Sequence, residues 1–142
     1  MWLLRGMPSD GVLTTIDVEP EHQRAAREAY AEAGVAPNRT RVIAGRALDV
    51  LPRLTDGAYD LVLCDAATAE VDDYLDQALR LLRRAGPSRS PAPCAATGWP
   101  TRRSATRPPR RSASLGKRVR DDERLVPAML PVSDGLLVAV RR

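Results

Sequence analysis

Acids that close short β-branched runs are the first candidates for chemistry in this sequence. Gly11-Val12-Leu13-Thr14-Thr15-Ile16-Asp17 and Tyr59-Asp60-Leu61-Val62-Leu63-Cys64-Asp65 each end on an aspartate, and Arg41-Val42-Ile43-Ala44-Gly45 ends on a glycine. In open parallel sheets, ligands sit outside the carboxyl ends of the strands. A carboxylate placed there can accept hydrogen bonds from a ribose diol, and a glycine lets the backbone approach a ligand. A single acid after a strand is often just a cap for the next turn. Two acids and a glycine at three successive strand ends favour a nucleotide site in which Asp17 accepts the ribose. These residues alone leave open whether the nucleotide is NAD or S-adenosylmethionine.

The elements that must position these residues follow from the pattern around them. After Asp17, Pro20 suits the first turn of a helix, Glu19 and Glu21 complement its dipole, and Ala25, Ala26, Ala29 and Ala33 propagate it to Gly34. A helical stretch over residues 47–54 follows the second strand, and Pro52 delays or bends it. Val71, Leu75, Ala78, Leu79 and Leu82 recur at helical spacing, with Asp72, Asp73, Asp76 and Arg80 opposite. Residues 125–132 and 136–140 flank Ser133-Asp134-Gly135, a hairpin signal. Strands alternating with helices predict an α/β fold with a mostly parallel sheet and a C-terminal antiparallel hairpin.

Composition excludes several classes. No apolar run is long enough to span a bilayer, and the first seven residues lack the features of a secretory signal, which predicts a cytoplasmic protein without a membrane partner. Cys64 and Cys94 form no C-x-x-C, and His22 is the only histidine, so neither a disulfide framework nor a zinc site is indicated. Cys64, inside an apolar strand, reads as a small core residue, His22 as a solvated helix residue, and Tyr74 as a core or boundary residue. The net charge of +4 is a sum of unlike parts: residues 1–82 carry 8 basic and 14 acidic side chains, and residues 83–118 carry 10 basic and none acidic.

The three strand-end segments, with Val18-Glu19-Pro20-Glu21-His22 after the first, resemble in order and spacing the S-adenosylmethionine-dependent O-methyltransferases of the catechol and caffeoyl-CoA type, especially actinobacterial ones. The resemblance implies a Rossmann-like class I methyltransferase fold. It implies that Asp17, with Val18 beside it, binds the cofactor ribose and that Gly45, Arg46 and Ala47 lie against the adenine. Asp65 falls near the methionine part and, in metal-dependent members, ligates a divalent cation such as Mg²⁺. A hard cation suits carboxylate oxygens and lowers the pKa of a substrate hydroxyl. The implied acceptor is a small-molecule hydroxyl, and the family assembles as a homodimer. No catalytic residue carries over, since Thr68 stands where many members have a basic one.

The family places a strand and a glycine-rich loop before the segment resembling Trp2-Leu3-Leu4-Arg5-Gly6-Met7, and another strand soon after Leu81-Leu82-Arg83. Residues 84–115 are instead 24 of 32 Arg, Pro, Ser or Ala, with no acid, Val or Ile. This composition predicts irregular or disordered chain between a cofactor-binding core (1–83) and a C-terminal helix and hairpin (116–142). One permitted set of codons for residues 83–91, read out of frame, encodes an apolar strand after a helix stop, which would account for the composition. A sheet lacking both strands predicts a marginally stable, impaired enzyme. Two other readings stand beside the methyltransferase: a fragment of an NAD(P)-dependent Rossmann oxidoreductase, and a basic nucleic-acid-binding module. The second is disfavoured, because the Arg-rich stretch has no repeated aromatic and no RNP-like motif.

Overall fold

The computed structural model describes residues 1–65, 70–84, 92–97, 110–132 and 135–142. The chain forms two compact units, Met1–Arg53 and Leu54–Arg142. Among the described residues, no helix is long and apolar enough to cross a membrane.

The first unit runs α1 (Trp2–Gly6), β1 (Leu13–Asp17), α2 (Pro20–Glu32), β2 (Thr40–Ala44) and α3 (Ala47–Val50). The two strands are parallel, with Asp17 opposite Ala44, so both reach their carboxyl ends at one level. As the sequence predicts, α2 begins at Pro20 with Glu21 in its first turn and carries a polar face to solvent. Its inward stripe is Gln23, Ala26, Ala29 and Tyr30. The stretch after β2 is α-helical only to Val50 and tightens into a 3-10 turn over Leu51–Arg53. Pro52 lacks the N–H that a continuing α-helix would donate.

The second unit runs β3 (Val62–Cys64), α4 (Val71–Leu81), β4 (Ala92–Thr97), α5 (Arg110–Asp121), β5 (Leu125–Leu130) and β6 (Leu136–Arg141). The sheet order is β3-β4-β6-β5. The β3–β4 pair is parallel, whereas β4–β6 and the β5–β6 hairpin are antiparallel. Leu75, Ala78, Leu79 and Leu82 pack with Leu115 and Val119 of α5 over Cys94, Leu125, Leu137 and Ala139, and this is the core. Arg118 of α5 donates to the Asp72 carbonyl (3.0 Å) and pairs with Asp76, so the acidic side of α4 is neutralised by its neighbour. Arg141 of β6 donates to the carbonyls of Leu79 and Leu82 (2.5 Å for Leu82), filling acceptors that the end of α4 leaves open.

Two expectations need correction here. Residues 84–115 are not irregular throughout: 92–97 form β4, an interior strand, and α5 begins at Arg110, ahead of the predicted 116. The residues as they stand supply the strand after α4, because β3 and β6 offer backbone partners on both of its edges. Tertiary pairing thus outweighs a composition poor in strand formers. The remainder of that stretch, and Thr68, lie outside the described residues. The strand predicted over 59–65 is also shorter. Only Val62–Cys64 has a partner strand, while Tyr59 makes an isolated parallel bridge to Leu82 at the exit of α4.

Candidate functional site

The carboxyl ends of β1 and β2 build the site in the first unit. Asp17 is the last residue of β1, and its side chain is 37% exposed. One carboxylate oxygen accepts the Glu19 N–H at 2.8 Å and the other lies 3.1 Å from His22 Nδ1. Glu19 is the residue before α2, so the turn into the helix aims its amide back at the carboxylate. The Glu19 amide holds the Asp17 carboxyl below the ordinary value of 3.8; desolvation opposes it, and His22 adds to the lowering. The carboxylate is therefore charged, oriented and reachable.

Gly45 follows β2 with φ of 143°, a conformation that favours glycine, and its N–H donates to the Asp17 carbonyl at 3.0 Å. The β2 turn is thereby pinned to the end of β1. A side chain on Gly45 would also meet Val50 Cγ2 at 3.3 Å. Arg46 precedes α3 as its N-cap in extended backbone, and Ala47 is the first helical residue. Val18 is 58% exposed beside Asp17. The first unit thus places Asp17, Val18, Gly45, Arg46 and Ala47 at the carboxyl ends of β1 and β2 and in the turns that follow them.

Asp65 belongs to the second unit, where it follows β3 and is exposed. Among the described residues, no three His, Cys, Asp or Glu side chains gather as a metal site. Tyr74 is buried and donates to Glu70 Oε2 at 3.0 Å, which is the packing role expected of it. Cys64 and Cys94 are free thiols lining an apolar cavity of about 30 Å³ between the sheet and α4 and α5. Burial, and secondarily the neighbouring Cys94, push the Cys64 thiol up to about 11. Burial also raises Cys94. Neither has the lowered pKa of a nucleophile.

Sequence reasoning missed two features. His22 reads as solvated and is exposed, yet its ring is in contact with Asp17. Gln23, only 4% exposed, is the one buried polar side chain of the first unit. Its amide nitrogen donates to the Asp17 carbonyl at 2.6 Å and the Ile43 carbonyl at 2.8 Å. The available signal was its place on the inward stripe of α2 with Ala26 and Tyr30.

A family model for O-methyltransferases matches residues 2–142. The chain belongs to this family. A probable O-methyltransferase of Mycobacterium tuberculosis (strain H37Rv) is 50% identical over 143 residues, covering 99% of this chain and 63% of its own length. This chain thus spans less than two thirds of the length of such relatives. Among solved structures, a Corynebacterium glutamicum protein aligns with TM-score 0.85 and 29% identity, over 99% of this chain and 65% of its own. The O-methyltransferase TomG of Streptomyces achromogenes, involved in tomaymycin synthesis and solved in complex with SAM, aligns with TM-score 0.83 and 25% identity, over 99% and 66%. The fold is accordingly the Rossmann-like α/β fold of methyltransferases.

Proposed function

We propose that this chain binds S-adenosylmethionine through its adenosine half and carries part of an enzyme that transfers the methyl group to a hydroxyl of a small molecule. The observation that carries the reading is the Asp17 carboxylate at the carboxyl end of β1, held by the Glu19 amide beside the Gly45 turn. Two oriented acceptor oxygens fit a ribose diol. Bound there, the cofactor would supply an electrophilic methyl group.

The chain's own residues do the binding and orienting. Asp17 would accept the two ribose hydroxyls. The Gly45 turn, with Arg46 and Ala47 after it, would lie against the adenine. Val18 offers an exposed apolar contact on the Asp17 side. Asp65 follows β3 in the second unit. Among the described residues no three His, Cys, Asp or Glu side chains gather around it, and no step is assigned to a metal.

Calorimetric titration of the full chain with S-adenosylhomocysteine and with NAD tests this. The reading expects binding of S-adenosylhomocysteine, no comparable binding of NAD, and loss of at least about tenfold in affinity with Asp17→Asn, the scale for a hydrogen bond to a charged group. Equal binding of NAD, or no effect of Asp17→Asn, would overturn it. Transfer of label from methyl-labelled S-adenosylmethionine to a panel of phenols and alcohols then tests the reaction.

A further inference from the structure

We infer that Gln23 is the positioning residue of the adenosine half of this site, because its side-chain amide fixes the separation between Asp17 and the Gly45 turn. The inference rests on the reading of Asp17 as the ribose acceptor. It concerns a residue six positions further on, inside α2, that need not touch the cofactor.

The geometry is specific to the strand ends. The β1–β2 pair is parallel and its register ends at Asp17 opposite Ala44. Gln23 donates from one nitrogen to two backbone carbonyls, one on the last residue of β1 and one two residues before Gly45. The Asp17 carbonyl also accepts the Gly45 N–H, so a single oxygen joins the helix, the acid and the glycine turn. Both hydrogens of the amide are used, which leaves it no rotational freedom that keeps both bonds. With no other buried polar side chain among the residues of the first unit, this is not a general way of filling the unit. Polar material is buried at the one place where the two halves of the adenosine contact must keep a fixed spacing.

A purely structural Gln23 and a positioning Gln23 differ in one readout, the discrimination between ribose and 2′-deoxyribose. The full chain is titrated with S-adenosylhomocysteine and its 2′-deoxy counterpart. Wild type is expected to prefer the ribose form by about tenfold or more, and Asp17→Asn to abolish the preference. Gln23→Met, of similar size but without a donor, should reduce the preference to about twofold or less. Gln23→Lys, with a donor one bond further out, should restore much of it. If Gln23→Met weakens both ligands equally and keeps the ratio, Gln23 is merely structural and the inference is overturned, while the Asp17 reading survives. If wild type shows no preference, the Asp17 reading fails and takes this one with it. Amide exchange on the unmodified chain keeps the proposal falsifiable even if the variants do not fold, because it reads whether the cofactor is coupled to the Gly45 turn at all. The Gly45 N–H should slow by about tenfold or more on saturation with S-adenosylhomocysteine, and an unchanged rate overturns the proposal.

Discussion

Replacing Gly45 with alanine probes the turn on which the site depends. At φ of 143° an L side chain is strained, by about 1–3 kcal/mol. The added Cβ would stand 3.3 Å from Val50 Cγ2, a contact that one valine methyl relieves by moving a few tenths of an ångström, so the backbone strain decides the outcome. The chain has two ways to accommodate it. It can keep the turn and lose stability, lowering the urea midpoint by roughly 1 M for a small protein. Alternatively it can rotate the peptide, breaking the 3.0 Å bond to the Asp17 carbonyl, and lose about 5- to 150-fold in affinity for S-adenosylhomocysteine. Urea unfolding and calorimetry on the same sample measure both. Gly57→Ala is the control, with φ of 63° and nothing within 4 Å of the added carbon. It should lose about 1–2 kcal/mol of stability and no affinity. Wild-type stability together with wild-type affinity in Gly45→Ala would refute the reasoning, as would an equal loss of binding in Gly57→Ala.

Two further outcomes are expected. Asp17 should titrate below 3.8 by carbon NMR, because the Glu19 amide and then His22 favour its charged form. Being lowered on folding, it contributes stability that is complete above the ordinary Asp value and is lost as pH falls through the lowered one. His22→Ala should keep most of the lowering, and a return to 3.8 would contradict the leading role of the Glu19 amide. At pH 8 the native Cys64 thiol, at about 11 against an ordinary 9.0, should react with iodoacetamide about 100-fold more slowly than the unfolded chain. A native rate equal to the unfolded one would place that thiol outside the core.

The parts of the fold that the sequence announced are those whose signal is local. β1 and β2 are β-branched runs, α2 has its proline and acids at the start, and α4 repeats its apolar residues every three or four positions. The parts it hid depend on partners distant in sequence. Half of β4 is alanine, which strands disfavour, and it forms because β3 and β6 flank it. Tyr59 pairs with Leu82, across a helix, which no two-residue alternation reveals. α5 begins inside an Arg-rich stretch because Leu115 and Val119, one turn apart, bury in the core with α4. Of the site, Asp17 and Gly45 were legible as strand-end residues. Gln23 was not, since a polar residue on a helix reads as solvated until the carbonyls it satisfies are known.

The place of β6 in its sheet governs the order in which the second unit can be made. It comes after every other described strand in chain order, yet it lies between β4 and β5, and its Arg141 closes the end of α4. During synthesis β3, α4, β4, α5 and β5 must all leave the ribosome before the strand that joins them exists. Until then β4 and β5 have no common neighbour, and the apolar faces of α4 and α5 have no complete sheet to cover. Such late, non-local closure slows folding and leaves apolar surface exposed on the nascent chain until β6 arrives.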